Sequence, residues 1–350
     1  MRILLITNDI TPKKGGISTY INSLIENMKS EVIIYSPKWA DSNPETKSSK
    51  GFIYPNKKTY NELNKIINTK NINVILHASS NPQFLMIKKL KIYNLPQYMI
   101  VHGAEFNIVR SIPFLNRVLK NNLNDLEKIF TVSYYTARKL RTIVDSEIEI
   151  VKAGIDKIDF EKDYKQKDVL TVGVSSRFVP RKKIDWVIDS VSDLVDEGRR
   201  VELKIFGFGK QESFLRKLAK LSSAKISFYS DKNHDSLEEF YKSLDVFVMP
   251  SKSRYFGREF EGLGLVYLEA ASYGLPVLVG SSGGSFETII PGKTGFIVSS
   301  RKDISDALNF FIDNPEKIKE FGNASKEFVK GEFSWDRVSE SIEKVLNLKN

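Results

Sequence analysis

The strongest constraint on the fold is an alternation of short apolar runs with amphipathic segments along nearly the whole chain. The apolar runs are continuous rather than alternating, which is typical of strands covered on both faces. The segments between them carry apolar residues at helical spacing, and such alternation predicts βα units and parallel, doubly wound sheets. The strand-like runs include residues 3–7, 74–78, 98–102, 129–133, 170–174, 203–207, 225–229 and 245–250, and the helical segments include residues 17–28, 186–195 and 212–221.

A charged stretch divides the chain into two halves. The length of 350 residues predicts roughly two domains. Residues 155–168 are dense in charge and poor in spaced apolar residues, and the strand-like run at 170–174 restarts the alternation. We therefore expect two Rossmann-like domains, with a cleft between them and a boundary near residue 160.

Composition excludes several kinds of site. The chain has no cysteine, which rules out disulfides, zinc–thiolate sites, iron–sulfur clusters and a cysteine nucleophile. Because the chain has only three histidines, we do not expect a metal centre with several histidine ligands. The apolar run at residues 1–6 is too short to span a membrane and lacks the layout of a signal peptide. We expect a cytoplasmic protein.

The positive charge is concentrated in the first half. The whole chain has 53 Lys and Arg against 43 Asp and Glu, a net charge of +10. Residues 1–170 contribute 26 against 17, or +9, and residues 171–350 contribute 27 against 26, or +1. A basic half favours nucleic acid, anionic lipid or a phosphorylated substrate as partner, and a merely solvated basic surface explains it equally well. No nucleic-acid recognition motif accompanies the charge, so nucleic acid is not an expected partner.

Two common nucleotide motifs are missing. A dinucleotide oxidoreductase needs G-x-G-x-x-G after its first strand, whereas the first strand here is followed by DITPKKGGIS. The later GFG at 207–209 lacks the third glycine, and no G-x-x-x-x-G-K-[ST] occurs. Hydride transfer with NAD and P-loop chemistry are therefore disfavoured.

The segment at 250–284 has the features of a diphosphate site. A strand-like run ends at Pro250, a cationic loop follows, and Gly262 and Gly264 come just before a helical segment at Leu265. Glycines let backbone approach a ligand, and a helix start offers free N–H groups and the positive end of its dipole. Glu261 and Glu269 would repel phosphate unless they hold sugar hydroxyls. Alternatively, Glu269 is a solvated helix residue and Glu261 interacts with the helix dipole.

A second cationic loop follows the strand-like run at 170–174. Arg177 and Lys182 lie five positions apart in SSRFVPRKK, where a helix begins. An Arg that binds two oxygens at once and a point-charge Lys are a common combination at phosphate sites. The alternative is an ordinary basic loop near Asp185. Two such loops on one sheet favour a nucleoside diphosphate ligand.

Four motifs carry a family resemblance: GGISTY (15–20), VHGAEF (101–106), SSRFVPRKK (175–183) and EGLGLVYLEA (261–270). With them the chain resembles retaining glycosyltransferases of the GT-B fold, family four, over nearly its whole length. Within that family it is most similar to mannosyltransferases acting on phosphatidylinositol mannosides. The resemblance implies an acceptor-binding domain at 1–160, a nucleotide-sugar donor-binding domain at 161–333, and a C-terminal helix at about 334–350 that packs back on the first domain.

The resemblance also implies roles for residues of the second domain. Arg177 and Lys182 would neutralise the donor diphosphate. Glu261 would hold hydroxyls of the transferred sugar, and Glu269 would hold the nucleotide ribose. The donor would also contact the bend formed by Gly262, Leu263, Gly264 and Leu265, with the amides of the last two on phosphate or sugar.

In the first domain, the resemblance assigns Gly15 and Gly16 to a tight turn whose backbone approaches the donor. It places His102 near the reacting sugar, and the alternative is a histidine buried at a strand end. His77 matches no motif and is expected to be structural.

Two departures from the family pattern bear on the site. Phe286 stands where the family has proline after Gly283-Gly284, which puts the backbone of that loop in question. No two aspartates lie two apart, so a metal-bridged diphosphate is unsupported. No metal or cofactor is therefore expected, and Arg, Lys and the helix dipole would stabilise the leaving charge.

The expected function is retaining transfer of a hexose, mannose from GDP-mannose, to a lipid-linked acceptor or a growing polysaccharide. The alternatives are a transferase for UDP-glucose or another UDP-sugar, a sugar-nucleotide epimerase whose acid/base carboxylates we cannot locate, and a non-enzymatic basic protein that binds lipid or nucleic acid. Residues 88–103 and 106–124 interleave cations with large apolar residues, as in segments that dock on anionic membranes. Ordinary core helices with a basic side are the alternative. A peripheral position on the inner face of the cell membrane is thus a further expectation.

Overall fold

The computed structural model describes residues 1–103, 105–106, 113–156, 158–164, 168–230 and 236–347. The chain divides into two compact units. Unit 1 consists of Met1–Gly154 and Ser334–Asn350, and unit 2 of Ile155–Phe333. The assignment of acceptor binding to one and donor binding to the other stays a prediction.

Unit 1 contains a six-stranded sheet in which every neighbouring pair is parallel. The strand order is β2-β1-β3-β4-β5-β6. The first strand is buried on both faces from Ile3 to Ile6, as its continuous apolar run predicts. The strands are β1 (Arg2–Ile6), β2 (Glu31–Tyr35), β3 (Val74–His77), β4 (Gln97–Val101), β5 (Lys128–Thr131) and β6 (Ile148–Ile150).

Two of the described helices of unit 1, α2 (Lys57–Thr69) and α5 (Tyr134–Leu140), have an N-cap side chain that accepts hydrogen bonds from the first turn. Asn56 accepts hydrogen bonds from the N–H groups of Lys58 and Thr59, and Ser133 accepts one from Thr136 N. These oxygens satisfy amides that have no partner inside the helix. The helices up to residue 154 are α1 (Gly16–Asn27), α2 (Lys57–Thr69), α3 (Ile87–Leu90), α4 (Pro113–Leu123) and α5 (Tyr134–Leu140), with 3-10 turns at Pro44–Thr46, Gln83–Leu85 and Lys91–Tyr93.

Unit 2 contains a second six-stranded parallel sheet, with the order β12-β11-β10-β7-β8-β9. Its strands are β7 (Leu170–Ser175), β8 (Val201–Phe206), β9 (Lys225–Tyr229), β10 (Val246–Met249), β11 (Val277–Gly280) and β12 (Gly295–Val298). Its helices are α6 (Ile184–Asp196), α7 (Glu212–Leu221), α8 (Leu237–Lys242), α9 (Leu265–Ser272), α10 (Arg301–Asp313) and α11 (Glu316–Glu332), with 3-10 turns at Pro180–Lys182 and Ser285–Thr288.

The predicted pair of doubly wound parallel sheets is confirmed. The predicted helix at 212–221 is α7, residue for residue. The strand predicted at 98–102 begins one residue earlier, at the polar Gln97. Gln97 is buried there because its amide bonds His77 Nε2 at 3.1 Å and the carbonyl of Ile87 at 3.1 Å. A polar residue enters the strand only because these partners satisfy it.

The strand order of unit 2 reverses between β7 and β10. These two strands pair directly, with Val172 opposite Val246 and Gly173 opposite Phe247. Their carboxyl ends therefore lie side by side, and in doubly wound sheets such a switch point is where ligands bind. In unit 1 the corresponding reversal lies between β1 and β3.

The last helix, α12 (Trp335–Asn347), packs on α1 within unit 1. The Trp335 ring lies edge-on to the Tyr20 ring with centroids 5.2 Å apart. Glu343 accepts the Ser30 N–H at 2.7 Å. Among the helices of the described residues, none combines the length and the apolar character needed to cross a bilayer.

Candidate active site

Lys182 occupies a buried position at the switch point of unit 2. It ends the 3-10 turn that follows β7, and only 6% of it is exposed. Its Nζ donates to Glu261 Oε2 at 2.8 Å and to Met249 Sδ at 3.2 Å. Met249 is the last residue of β10, so this lysine, from the loop that follows β7, contacts the carboxyl end of β10.

The Glu261 carboxylate binds two cations. Besides Lys182, the Arg181 guanidinium donates to Glu261 Oε2, and the Ser251 hydroxyl lies 3.4 Å from the same oxygen. The side chains of Glu261, Arg181 and Lys182 are 11%, 14% and 8% exposed. Glu259 lies 3.6 Å from Arg181 and 3.7 Å from Arg254, so the cluster has three cations against two carboxylates. This excess positive charge is the electrostatic condition for binding an anion.

The charges of this cluster shift its pKa values. Burial alone would raise the pKa of Glu261, but the charges of Lys182 and Arg181 outweigh it and hold the pKa well below its usual range. Burial lowers the pKa of Lys182 to about 8, against the opposing effect of Glu261. The cationic charges of Arg181 and Arg177 act in the same direction as burial. Lys182 is therefore charged at pH 7 and titrates just above it.

Arg177 and Arg181 differ in position. Arg177, predicted from the sequence, is exposed on the loop after β7, close enough to Lys182 to affect its pKa. Arg181, which the sequence analysis did not single out, makes the ion pair with Glu261 and lies 3.6 Å from Glu259. In the sequence, Arg181 is only the first of three consecutive cations, Arg181-Lys182-Lys183. The residue types alone do not show which side chain in a run of cations points into the protein.

The loop after β11 holds the backbone of Glu261, the residue just before the glycine bend at 262–265. Gly284 N donates to the Glu261 carbonyl at 2.9 Å, and the Glu261 N–H donates to Ser282 Oγ at 3.1 Å. Gly264 begins α9 with φ of 96°, where a Cβ would lie 2.5 Å from the Tyr267 ring. The backbone of residues 262–265 is thus fixed at the start of the helix, with Gly262 and Leu265 half-buried and Leu263 buried. A helix start held in this way directs its free amides toward one place.

We predict that Gly283→Ala is strongly destabilising. Gly283 has φ of 61°, and an added Cβ would lie 2.0 Å from the Glu261 carbonyl oxygen. Backbone strain and this contact together should lower the free energy of unfolding by at least about 2 kcal/mol in a urea titration. Gly257→Ala is the control, since Gly257 also has positive φ but its Cβ would meet nothing within 4 Å. Equal losses in the two variants would show that the contact with Glu261 is unimportant.

Glu269 lies inside α9 and is bonded to a buried tyrosine. The Tyr241 hydroxyl donates to Glu269 Oε2 at 2.8 Å. Burial raises the pKa of Glu269, and this hydrogen bond opposes the rise. Glu269 is half-buried, which does not fit the alternative of a solvated helix residue. Glu261 is buried just before α9, where the alternative of an interaction with the helix dipole still applies.

The predicted residues of unit 1 lie at the carboxyl edge of its sheet. Gly15, with φ of 150°, and Gly16 begin α1, and a Cβ at either would meet nothing within 4 Å. His102 follows β4, and its Nε2 donates to the Ala78 carbonyl at 2.8 Å. Because a carbonyl only accepts, the proton is on Nε2 and Nδ1 is an acceptor. Burial lowers the pKa of His102 to about 4, so the ring is neutral near pH 7.

His77 is buried within β3, as expected of a structural histidine. Its Nε2 bonds Gln97 at 3.1 Å, and its Nδ1 has no partner among the described residues. Burial lowers the pKa of His77 to about 4. In the described part of the chain, His, Asp and Glu side chains do not come together in threes as a metal site would need.

A cavity lies at the opposite edge of the unit 2 sheet. Its lining includes Leu170, Arg200 and Asp245, which are at or next to the amino ends of strands. Ligands of doubly wound sheets bind at the carboxyl ends. We therefore place the candidate site at the cluster of Arg181, Lys182 and Glu261.

The charge of Lys182 should give the site an alkaline limit. Above pH 8 this lysine loses its proton, so kcat/KM for an anionic donor should fall by up to tenfold per pH unit. Lys182→Arg should react more slowly but show a flat alkaline profile, because arginine stays charged. The measurement is kcat/KM between pH 6.5 and 9.5. An unchanged alkaline limb in Lys182→Arg would assign the limb to another group.

A protein-family model matches unit 2 of the chain. Residues 156–328, which are nearly all of unit 2, match the model described as Glycosyl transferases group 1. The chain is also 27% identical to the GDP-mannose-dependent monoacylated alpha-(1-6)-phosphatidylinositol monomannoside mannosyltransferase of Corynebacterium glutamicum. That alignment covers 99% of this chain and 97% of the relative.

Solved structures share the architecture at lower identity. Sucrose-phosphate synthase from Thermosynechococcus elongatus superposes with a TM-score of 0.81 and 17% identity, covering 99% of this chain and 98% of that one. Anabaena HepE in complex with UDP-glucose gives a TM-score of 0.77 and 16% identity, covering 99% of both chains. These likenesses show the fold.

Proposed function

We propose that this chain, a glycosyltransferase of the GT-B fold with a glycosyl transferases group 1 domain at residues 156–328, transfers mannose from GDP-mannose with retention of configuration. The acceptor in this proposal is a lipid-linked glycan or a growing polysaccharide. The observation that carries the proposal is the buried cluster in which Arg181 and Lys182 meet Glu261 beside the glycine bend. Membership of a transferase family sets aside the epimerase and the non-enzymatic alternatives.

In the proposed mechanism, departure of the nucleoside diphosphate creates negative charge on the β-phosphate and positive character on the anomeric carbon. Lys182, Arg177 and the amides of Gly264 and Leu265 stabilise the leaving phosphate. These groups accelerate the reaction because they bind the developing charge more strongly than the ground state. The scheme uses protein cations and the start of α9 and needs no metal.

The carboxylates hold the sugar and the ribose in this scheme. Glu261 accepts hydroxyls of the transferred mannose, and its ion pairs with Arg181 and Lys182 keep it ionised as an acceptor. Glu269 accepts the ribose hydroxyls. The acceptor attacks from the face that the diphosphate leaves, and a phosphate oxygen assists removal of its proton. His102 contributes near the reacting sugar through Nδ1, the ring atom that its bond to Ala78 leaves as an acceptor.

The donor is tested by turnover with a panel of GDP- and UDP-sugars and mass spectrometry of the product. We expect GDP-mannose to be the best donor and mannose to be the sugar transferred. The competing donor is UDP-glucose or another UDP-sugar, which is favoured by the similarity to HepE, a protein solved with UDP-glucose. Turnover with UDP-sugars alone would replace the proposed donor with this one. Absence of turnover and of nucleotide binding with every donor would contradict both.

A surface of unit 1 supports a lipid-linked acceptor on an anionic membrane. Ile92 and Phe114 are 65% and 75% exposed. Along the chain, the exposed Lys88 and Lys89 lie within four residues of Ile92, and the exposed Arg117 lies three residues after Phe114. Residues 107–112 of the predicted docking segment lie outside the described residues. Exposed apolar side chains enter the headgroup region, and each near-surface cation adds on the order of 1 kcal/mol on anionic lipid.

Vesicle co-sedimentation tests this surface. The protein should bind vesicles rich in anionic lipid and not neutral ones, and Phe114→Ser with Ile92→Ser should weaken binding at least about tenfold. Leu221→Ser is the control, since Leu221 is 77% exposed on unit 2. Equal binding to neutral and anionic vesicles, or none to either, would contradict the membrane part of the proposal.

A further inference from the structure

We propose that Tyr241 is a positioning residue for the donor nucleotide, whose hydroxyl fixes the Glu269 carboxylate in the orientation that receives the two ribose hydroxyls. This inference rests on the proposed function, in which Glu269 holds the ribose. Tyr241 belongs to none of the motifs on which the family resemblance depends.

The Tyr241 ring is held rigidly. Only 2% of Tyr241 is exposed, and its ring stacks on Tyr273 at 5.3 Å with an interplanar angle of 18°. The Phe247 ring of β10 lies 5.9 Å away. Its own helix, α8, is capped by Ser236, which accepts the Glu239 N–H. A ring packed between a strand and the end of α9 presents its hydroxyl in one direction.

That direction is toward Glu269. The Tyr241 Oη donates to Glu269 Oε2 at 2.8 Å. Burial raises the pKa of Tyr241 well above its ordinary value, and the charge of Glu269 adds to the rise, so the phenol stays protonated and donates. Ser175, the last residue of β7, acts in the opposite direction on the pKa of the same phenol. The Tyr241–Glu269 hydrogen bond therefore joins α8 to α9.

This hydrogen bond determines what Glu269 can bind. A carboxylate has about four lone-pair directions, and Tyr241 uses one on Oε2. Glu269 is half-buried, so part of the residue is open to a ligand. The neighbouring 2′- and 3′-hydroxyls of a ribose are two adjacent donors that match a carboxylate of fixed orientation. Without the phenol hydroxyl the carboxylate loses that orientation and keeps a buried oxygen with no donor.

The test compares nucleotides with and without the ribose hydroxyls. Isothermal titration measures GDP against 2′,3′-dideoxy-GDP, and UDP against 2′,3′-dideoxy-UDP, on the wild type, Tyr241→Phe and Tyr273→Phe. The wild type should prefer the hydroxylated nucleotide by at least about tenfold, the scale of hydrogen bonds to a charged group. Tyr241→Phe should reduce this preference to about twofold and leave affinity for the dideoxy nucleotide nearly unchanged. Tyr273→Phe, which keeps the Tyr241–Glu269 bond, should retain the preference.

The outcomes separate the inference from the function on which it rests. An undiminished preference for the hydroxylated nucleotide in Tyr241→Phe, or an equal loss for both nucleotides, would overturn the positioning role and leave the proposed function standing. A wild type that binds neither GDP nor UDP would overturn both. Should Tyr241→Phe be unfolded, Tyr273→Leu takes its place, because it removes the ring on which Tyr241 stacks and keeps the phenol hydroxyl. It should lower the preference by about two- to threefold, and no change would count against the inference.

Discussion

Replacing Lys182 with alanine should lower kcat for sugar transfer by at least about 10²-fold, on the scale of losing one donor to a developing oxyanion. Lys182 is buried and charged at the switch point of unit 2, and the proposal gives it the leaving phosphate. The variant should remain folded, because Glu261 keeps Arg181 as a partner. Turnover with saturating GDP-mannose measures the effect, and thermal unfolding establishes that the protein is intact.

The matched control is the next lysine. Lys183 lies against the Trp186 ring at 4.9 Å and has φ of 52°. Lys183→Asn removes the same charge and keeps a residue that tolerates this backbone conformation. It should retain activity within about threefold. A folded Lys182→Ala protein with turnover close to the wild type would show that the leaving phosphate does not depend on Lys182.

Replacing Glu261 with alanine should damage both stability and activity. The change leaves Lys182 buried without a counter-ion, and it leaves Arg181 with Glu259 alone, at 3.6 Å. Removal of one partner of a buried pair costs about 3–5 kcal/mol in the free energy of unfolding. Activity should fall by at least about 10²-fold even where the protein is folded, because the hydroxyls of the sugar lose their acceptor. Urea unfolding and turnover at low temperature measure the two effects separately.

The pH dependence of this loss has a definite sign. The pKa of Glu261 in the folded protein lies below its ordinary value of 4.5. The stabilisation that Glu261 supplies is therefore complete above about pH 4.5 and is lost only as the solution becomes strongly acidic.

The control for Glu261→Ala is Glu259→Gln, since Glu259 lies at 3.6 Å from Arg181 and 3.7 Å from Arg254 and is more exposed. It should cost under about 1 kcal/mol. Equal losses in the two variants would remove the special role of Glu261.

The sheets were predictable because strands that are buried on both faces have continuous apolar sequences. Strands such as β1 and β10 are continuous apolar runs, and α7 has apolar residues at helical spacing between polar ones. Strand order is different, because no pattern within β7 or β10 shows that these two strands pair. The switch point, and with it the meeting of Lys182 and Glu261, comes from the tertiary arrangement of unit 2.

The parts of the site that the sequence analysis missed have no separate local signature. Arg181 stands in a run of three cations, and its position beside Glu261 depends on the 3-10 turn at Pro180–Lys182. Tyr241 is an aromatic residue in a six-residue helix and has the same sequence pattern as a core aromatic. Its bond to Glu269 joins residues 28 positions apart. Contacts between residues so far apart in the chain depend on tertiary packing, which composition and local spacing do not show.

Isothermal titration of nucleoside diphosphates and monophosphates tests the central claim most directly, since the claim is that Lys182 and the bend before α9 bind the terminal phosphate of the donor. GDP is compared with GMP, and UDP with UMP, on the wild type and Lys182→Ala. The wild type should bind the diphosphate at least about tenfold more tightly than the monophosphate, and Lys182→Ala should lose most of this preference. Equal affinity for diphosphate and monophosphate in the wild type, or a preference unchanged in Lys182→Ala, would contradict it.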